Sequence, residues 1–294
     1  MTYTTIAVIY NPNSTGSSKV LAEKFEAQLS QKLPGQKIEL IATEYAGHAK
    51  ELAYSIAKDS QNPLVISSSG DGGYSEVVNG AMQAQQEGYT ITTGLLPAGN
   101  ANDHFHNLHD EDIVELIIAG KSKKIDLLKV VGTEDGKELQ YYAHSYIGVG
   151  LTSKIAKELN KTKLNAFKET WLVAKLLFTV KSIRLKVGDK VRNYESIIFS
   201  NVDRMSKYLT VSQPSEVTDG KFEVTIFRRR NKLQLIQVLL KASVIGVKED
   251  SQAETFSFET VDKTLLQADG EIMMLDGKTE CTVTIEKQIL NCVV

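Results

Sequence analysis

Cysteine and proline are scarce in this 294-residue sequence, and neither basic nor acidic side chains are in large excess. Each of these features excludes a class of protein. The two cysteines, Cys281 and Cys292, have neither zinc-ligand spacing nor a nearby histidine, so we expect two reduced thiols and no structural metal site. Five prolines and 20 glycines exclude collagen-like and low-complexity chains. Because 34 basic side chains nearly balance 36 acidic ones, the total charge does not predict nucleic acid as a partner.

Long apolar runs are also missing. The longest, around 171–180 and 235–247, are interrupted by Lys175 and Lys241 and are too short to span a bilayer. The first residues run directly into an apolar strand pattern without a basic leader, so we expect a cytoplasmic protein. What is present is an ordinary globular composition, 42 % apolar and 24 % charged, in a chain long enough for about two domains.

The first 124 residues alternate strand and helix patterns in four successive units. Each short apolar run is followed by a turn and then by apolar residues at helical spacing. We predict strands at residues 6–10, 38–42, 64–67 and 90–96. Repeated strand-helix units of this kind predict a parallel sheet wrapped by helices.

From about residue 124 onward, strand patterns dominate, with helical patterns near 164–181 and 232–244. We predict strands at 124–131, 140–149, 195–200, 209–213, 222–227, 255–260, 265–268 and 281–286. The predicted fold class is therefore α/β plus β. An N-terminal parallel-sheet domain covers residues 1–124 and a mostly β, sandwich-like domain covers 125–294, with a cleft between them and the extreme C-terminus left free to pack back on the first domain.

Three of the four N-terminal strands end in turns built from Gly, Asn, Ser and Pro, and these turns should meet at one edge of the sheet. In the second, Gly70, Gly72 and Gly73 allow the backbone to approach a phosphate, and the following helix adds oriented N–H groups. Asp71 would repel a bare phosphate, so it indicates a cation such as Mg²⁺ or a hydroxyl-bearing ligand beside it. Taken alone, the same run also fits a structural turn, since it is neither a Walker loop nor a dinucleotide fingerprint.

The full run, residues 69–80, reads Ser-Gly-Asp-Gly-Gly-Tyr-Ser-Glu-Val-Val-Asn-Gly. It resembles the G-G-D-G-T-x-x-E-V-x-N-G signature of the diacylglycerol kinase catalytic-domain family, which includes bacterial soluble lipid kinases and sphingosine kinases and is related to NAD kinases. Residues 11–16 resemble the family's N-P-x-S-G turn, and residues 96–103 resemble P-x-G-T-x-N-D. The segment Asp269-Gly270-Glu271 resembles a D-G-E element.

Two weaker matches accompany these blocks. Asp219-Gly220 matches an earlier D-G, and Asp126 matches an Asp that opens the second domain. Together the matches extend from residue 11 to residue 271 in the family's order, which makes them more specific as a set than any one block.

The resemblance implies a two-domain lipid kinase, with an α/β nucleotide-binding domain followed by a β-rich lipid-acceptor domain. It would use ATP and Mg²⁺ to phosphorylate the hydroxyl of diacylglycerol or a related lipid alcohol. The implied catalytic residues are Asp71, Asp269 and Glu271, with Glu271 or Asp269 as the base, and the implied metal ligands are Asp71, Asp219 and Asp269. The implied nucleotide contacts are Asn11, Ser14, Gly16, Gly70, Asp71, Gly72, Gly73, Glu76, Asn79, Gly99, Asn100, Asn102 and Asp103. Without the other motifs, Asp-Gly-Glu would fit a plain hairpin turn.

Four residues depart from the family pattern, one of them His104, which stands where an aromatic residue often follows. Ser69 stands at a Gly position, and Gly73 and Asn100 stand at Thr positions. Two hydroxyl contacts to the nucleotide are thereby missing or altered, so weakened or shifted binding is as plausible as loss. The alternatives are an NAD-kinase-like or soluble-alcohol kinase, or a degenerate regulator that binds nucleotide or lipid without catalysis.

Basic side chains concentrate in residues 154–192, where 11 stand against three acidic ones. The segment predicts either peripheral contact with the anionic inner face of the membrane or a core helix with solvated lysines. His104, His106 and His109 are expected to be surface or packing residues, because the first two point to nearly opposite sides of a helix. A homodimer is a possibility that the sequence does not test.

Overall fold

The computed structural model describes residues 3–14, 17–99, 102–108, 111–150, 153, 182–202, 204–205, 209–210, 216–228 and 251–294. The chain divides into two compact units, one formed by residues 1–127 with 287–294 and the other by 128–286. The helices predicted near 164–181 and 232–244 lie outside the described residues, as does most of the basic segment 154–192. The cleft between the two parts stays a prediction.

The first unit confirms the predicted parallel α/β architecture. Its strands are β1 (Thr5–Tyr10), β2 (Ile38–Ala42), β3 (Pro63–Ser69) and β4 (Thr92–Pro97). Its helices are α1 (Ser18–Lys32), α2 (His48–Asp59), α3 (Asp71–Gln86), α4 (Asp103–Leu108) and α5 (Ile113–Ile118). The order across the sheet is β4, β3, β1, β2, with parallel pairing throughout this order.

Burial explains why these elements form. Strands β1 and β3 are buried along nearly their whole length, which is why residues 6–9 and 63–66 within them are continuous apolar runs rather than alternating ones. Ile6, Val8, Leu64 and Ile66 of these strands pack with Phe25 of α1 in one apolar cluster. The parallel order brings the carboxyl ends of β1, β3 and β4 to the same edge of the sheet.

The second unit is rich in strands, as predicted. Its elements are β5 (Lys123–Glu134), which begins in the first unit, β6 (Lys137–Ala143), β7 (Tyr146–Gly150), β8 (Ile183–Val187), β9 (Lys190–Ser200), β10 (Arg204–Met205), β11 (Leu209–Thr210), β12 (Phe222–Arg228), β13 (Ser251–Ala253), β14 (Thr255–Thr260), β15 (Thr264–Ala268), β16 (Glu271–Leu275) and β17 (Glu280–Cys292). The last residues of β17 belong to the first unit, where Asn291 and Cys292 pair in parallel with β4.

Within the second unit the pairings with known register are antiparallel. β15 lies between β16 and β7, and β9 contacts β7, β8 and β12. The core is built around Phe199, whose ring lies 5.8 Å from that of Phe222 and 5.3 Å from that of Phe256. This arrangement places the turn between β15 and β16 next to the start of β7.

The single strand predicted at 140–149 is two strands in the structure. β6 ends at Ala143 and β7 begins at Tyr146, with His144 and Ser145 between them. The reason is tertiary, because the Asp269 carboxylate accepts hydrogen bonds from the backbone at this break. Of the strand predicted at 209–213, residues 209–210 are described, and the rest lies outside the described residues.

Candidate functional site

The turns that follow β3 and β4 cross at two glycines. A Cβ on Gly70 would lie 3.0 Å from the Gly99 Cα, and a Cβ on Gly99 would lie well inside van der Waals contact of the Gly70 Cα. The Ala98 N–H donates to the Ser69 carbonyl at 2.9 Å beside this crossing. Neither position can therefore hold a larger residue without moving backbone, and the two predicted nucleotide-binding turns are brought together here.

Helix α3 begins inside the first of these turns, with Gly70 as its N-cap and no side-chain hydrogen bond closing that end. The helical hydrogen bonds start with the Tyr74 N–H, which donates to the Gly70 carbonyl at 3.1 Å. The N–H groups of the first turn, which includes Gly72 and Gly73, precede that bond. An N-terminus of this kind attracts anionic groups such as phosphates.

Asp71 connects this helix end to α4. Its Oδ1 accepts the His104 N–H at 3.2 Å, so one carboxylate lies at the start of both helices. The His104 ring is buried and packs on the Tyr74 ring at 5.1 Å, whereas His106 is exposed. His104 is therefore a packing residue, and His109 lies outside the described residues.

The turn after β1 is tied to the end of β3. The Asn11 side chain accepts the Asn13 N–H at 2.8 Å, and its carbonyl accepts the Ser14 N–H at 3.2 Å. The Asn11 N–H donates to the Ser18 hydroxyl at 3.2 Å. Ser18 and Ser68 then exchange hydroxyl-to-carbonyl hydrogen bonds in both directions. Asn11 and Ser14 are thus held at the same edge as the glycine crossing.

The Asn102 side chain stabilises the turn after β4 by two hydrogen bonds to the Gly99 backbone. Its side-chain oxygen accepts the Gly99 N–H at 2.9 Å, and its amide donates to the Gly99 carbonyl at 3.0 Å. Its φ of 53° lies in the left-handed region that asparagine tolerates. Of the other predicted contacts, Gly16, Asn100 and the side chain of Asp103 lie outside the described residues.

Glu76 and Asn79 have their described contacts elsewhere. The two Glu76 carboxylate oxygens accept the N–H groups of Gly47 at 2.9 Å and Ala49 at 3.2 Å, at the N-terminus of α2. The Asn79 amide donates to the Ser75 carbonyl at 2.9 Å within α3. These contacts hold α2 and α3 in place, and direct contact with a nucleotide stays a prediction for both residues.

An aromatic pair, with Tyr45 exposed and His48 half-buried, follows β2 at the same edge of the sheet. The Tyr45 and His48 rings stack with centroids 4.6 Å apart and planes inclined by 13°. The Tyr45 hydroxyl donates to the Glu51 carboxylate at 2.6 Å, and this bond raises the pKa of Tyr45. The sequence does not indicate this pair, because the two rings meet only after the loop has turned into α2.

A buried polar network joins α3 to the sheet. The Tyr74 hydroxyl lies 2.9 Å from the Thr93 hydroxyl and 3.3 Å from the Cys292 sulfur. Burial raises the pKa of the Cys292 thiol to about 11, so the thiol is protonated at neutral pH. The C-terminal strand is therefore part of the scaffold that holds α3 behind the turn of residues 70–73.

In the second unit, Asp269 and Gly270 form the two-residue turn between β15 and β16. Both have positive φ, 46° and 97°. The Asp269 carboxylate is buried and accepts the N–H groups of His144 at 2.6 Å, Ser145 at 3.1 Å and Tyr146 at 2.9 Å. Both of its oxygens are thus engaged by the backbone.

Glu271 differs from Asp269 in exposure, because it is the exposed first residue of β16. The His144 ring reinforces the Asp269 contact, with its Nε2 3.3 Å from Oδ2 and its Nδ1 2.8 Å from the Ser145 hydroxyl. Of the two predicted bases, Glu271 is therefore accessible to a substrate and Asp269 is anchored to the fold.

The predicted metal ligands are not all equivalent. Asp219 is exposed and its Oδ1 accepts the Lys221 N–H at 2.9 Å in the turn before β12. Asp126 matches the family pattern without a predicted metal role, and its Oδ1 accepts the Gln288 N–H at 2.6 Å. Over the described ranges, no group of three or more His, Cys, Asp and Glu side chains could hold a metal. Asp71 fits Mg²⁺ best, since Mg²⁺ needs only one or two carboxylates beside substrate phosphates. The metal roles of Asp71, Asp219 and Asp269 all stay predictions.

Comparison with known proteins gives related kinases. Residues 5–130 match the family described as diacylglycerol kinase catalytic domain. A diacylglycerol kinase of Staphylococcus epidermidis is 25 % identical over 248 residues, which cover 80 % of this chain and 74 % of the relative. Sphingoid long-chain bases kinase 1 of Arabidopsis thaliana is 35 % identical over 97 residues, which cover 32 % of this chain and 13 % of the relative.

The fold has a solved counterpart. The crystal structure of a diacylglycerol kinase from Bacillus anthracis has a TM-score of 0.70 at 16 % identity, and the match covers 100 % of this chain and 97 % of that one. At this identity the likeness shows the fold. Over the described part of the chain, no helix combines the length and apolarity needed to cross a membrane.

Proposed function

We propose that this diacylglycerol kinase-like enzyme, whose residues 5–130 match the family's catalytic domain, transfers the γ-phosphate of ATP to the hydroxyl of diacylglycerol or a related lipid alcohol. The observation that carries the proposal is the crossing of Gly70 and Gly99 at the uncapped N-terminus of α3. Side chains are excluded there, and oriented N–H groups are available to phosphate oxygens.

Asp71 would hold Mg²⁺ beside the crossing of Gly70 and Gly99. When bound, Mg²⁺ supplies charge neutralisation of the phosphates. The chain's own contribution is orientation, because the Asp71 carboxylate is fixed between α3 and α4 by its hydrogen bond from the His104 N–H. A cation beside the phosphates would offset the repulsion between this carboxylate and their negative charge.

The transfer itself moves one phosphoryl group and one proton. The acceptor oxygen forms a bond to the γ-phosphorus, the bond from that phosphorus to the bridging oxygen breaks, and ADP leaves. We assign the proton of the acceptor hydroxyl to the Glu271 carboxylate, which is exposed on β16. Asp269 is a positioning residue in this scheme, because its oxygens already accept three backbone N–H groups.

The lipid acceptor sets the proposed location. We propose a cytoplasmic enzyme that contacts the anionic inner face of the membrane, supported by the basic charge of residues 154–192. Binding to vesicles that contain anionic lipid should exceed binding to neutral vesicles, and equal binding would remove this part of the proposal. A homodimer and the absence of a nucleic-acid partner stay predictions.

The direct test is transfer of labelled γ-phosphate from Mg²⁺-ATP to mixed micelles containing diacylglycerol, sphingosine or phosphatidylglycerol, beside a lipid-free control. We expect a labelled lipid that depends on Mg²⁺. The variants Asp71→Asn and Glu271→Gln should lose transfer, whereas Asp59→Asn and Glu138→Gln, which change exposed acids in α2 and β6, should keep it.

Two other outcomes would overturn the proposal. ADP release with a soluble alcohol or NAD but with no lipid would identify a kinase of another acceptor class. ATP binding without turnover of any acceptor would identify a regulator, and the residues at positions 69, 73 and 100 would then be the first place to look for the cause.

A further inference from the structure

The end of β3 and the first turn of α3 leave space for one side chain between positions 69 and 73. A Cβ on Gly73 would lie 2.6 Å from the Ser69 Cβ and 2.7 Å from the Ser69 Oγ. Non-bonded heavy atoms do not approach this closely, since their optimal separation is about 3.5–4.0 Å. Gly73 is therefore required as long as Ser69 occupies the space.

The family pattern has the opposite arrangement, with Gly at the position of Ser69 and the hydroxyl-bearing Thr at the position of Gly73. The two departures in this sequence therefore exchange the positions of the glycine and the hydroxyl-bearing residue, and the hydroxyl group is kept. The Ser69 hydroxyl lies where a side chain at position 73 would begin, so it reaches the same place above the first turn of α3 from the other residue.

Ser69 is also the one of the three serines at the end of β3 that a ligand can reach. Ser67 and Ser68 are 2 % and 0 % exposed, whereas Ser69 is partly exposed. Its Oγ lies 2.7 Å from the Ser67 Oγ and donates to the Gly70 carbonyl at 2.9 Å. Because a hydroxyl carries one rotatable proton and two acceptor lone pairs, Ser69 can turn its proton to a phosphate oxygen while it accepts from Ser67.

We propose, on the basis of the proposed function, that Ser69 is a nucleotide-binding residue whose hydroxyl donates to a phosphate oxygen at the turn formed by residues 70–73. It supplies the contact that a side chain at position 73 would otherwise make. Because positions 69 and 73 share one space, only one of them can carry a hydroxyl-bearing side chain at a time.

The test compares wild type with Ser69→Ala, Gly73→Ser and the double variant Ser69→Gly with Gly73→Ser. Mg²⁺-ATP affinity is measured by calorimetry, lipid transfer by KM and kcat, and folding by Tm, with Ser55→Ala on the exposed face of α2 as the matched control. We expect Ser69→Ala to raise Kd and KM for ATP roughly tenfold, the effect of one lost hydrogen bond to a charged group. Its Tm and its KM for the lipid should stay at the wild-type values.

Gly73→Ser alone should lower both Tm and ATP affinity because of the clash with Ser69. The double variant should recover both, since it moves the hydroxyl rather than deleting it. Recovery of Tm without recovery of ATP affinity would refute the assignment of the hydroxyl, as would wild-type affinity in Ser69→Ala. A wild-type protein that binds no Mg²⁺-ATP would instead overturn the proposed function, and this inference with it.

Discussion

Replacing each of the two carboxylates at the β15–β16 turn by its amide should affect different properties of the protein, stability for Asp269 and turnover for Glu271. Asp269 is buried and holds the backbone between β6 and β7, whereas Glu271 is exposed. Both changes, Asp269→Asn and Glu271→Gln, remove one negative charge and keep the shape of the side chain. Any difference in Tm or kcat between the two variants is therefore due to the surroundings of each carboxylate and not to a change in side-chain size.

The magnitude for Asp269→Asn follows from its hydrogen bonds. Oδ2 accepts the His144 N–H at 2.6 Å, while Oδ1 accepts those of Ser145 and Tyr146 at 3.1 Å and 2.9 Å. An asparagine has only one accepting oxygen, so its NH₂ group must face at least one of these donors. A hydrogen bond to a charged group contributes about 1.5–3 kcal/mol, and a buried donor left unpaired costs about 1–3 kcal/mol. We expect a loss of about 3–5 kcal/mol in the free energy of unfolding.

The assay measures Tm and kcat for both variants. At about 2–4 °C for each kcal/mol, Asp269→Asn should lower Tm by about 6–20 °C. Glu271→Gln should change stability by no more than about 0.5 kcal/mol, as is usual for exposed positions, yet reduce kcat by about 10²- to 10⁴-fold if it removes the proton acceptor. A Glu271→Gln enzyme with wild-type kcat, or an Asp269→Asn protein with wild-type Tm, would refute the assignment of roles.

Three further predictions follow from contacts in the first unit and from the thiols. Gly99→Ala forces a methyl group into the Gly70 backbone, which should cost about 1–3 kcal/mol and weaken Mg²⁺-ATP binding in calorimetry. Glu76→Gln weakens the acceptor at the α2 N-terminus and should cost about 1 kcal/mol in urea unfolding. Burial raises the pKa of Cys281 to about 12 and that of Cys292 to about 11, so neither thiol should react with a thiol reagent at pH 8 until denaturant is added. Because the unfolded thiols ionise near their ordinary pKa of 9.0, stability should fall as the pH rises above that value.

Strands β1 and β3 could be predicted from the sequence because burial on both faces makes residues 6–9 and 63–66 continuous apolar runs. The predicted runs 6–10 and 64–67 lie within two residues of the observed β1 and β3. β8 was not predicted, because Arg184 and Lys186 alternate with its apolar residues and reach the acids of β14 and its following turn. A strand whose outer face is charged gives a weak hydropathy signal, and its pairing partners decide its bounds.

The sequence pattern names residues for the candidate site, but it does not show which neighbours they contact. The pattern identified Glu76 and Asn79 as site residues, yet their described hydrogen bonds go to α2 and to α3 itself. The pattern also gave Ser69 and Gly73 as two separate departures, whereas the structure makes them a single steric choice. Only three-dimensional neighbours show which residues share a space, because positions 69 and 73 become adjacent when the strand ends and the helix begins.

For Asp269-Gly270-Glu271, too, the sequence alone does not show the three-dimensional contacts. It is compatible with both a hairpin turn and a catalytic element. The turn needs positive φ at both central residues, and Asp-Gly is among the pairs that tolerate it best. That conformation directs the Asp269 carboxylate to the N–H groups of residues 144–146 and leaves Glu271 exposed at the first position of β16. The hairpin is therefore the means by which the carboxylate proposed as the base is held at the surface. A motif that fits a structural role is not thereby excluded from a chemical one, because the backbone conformation that the first requires is what orients the side chain for the second.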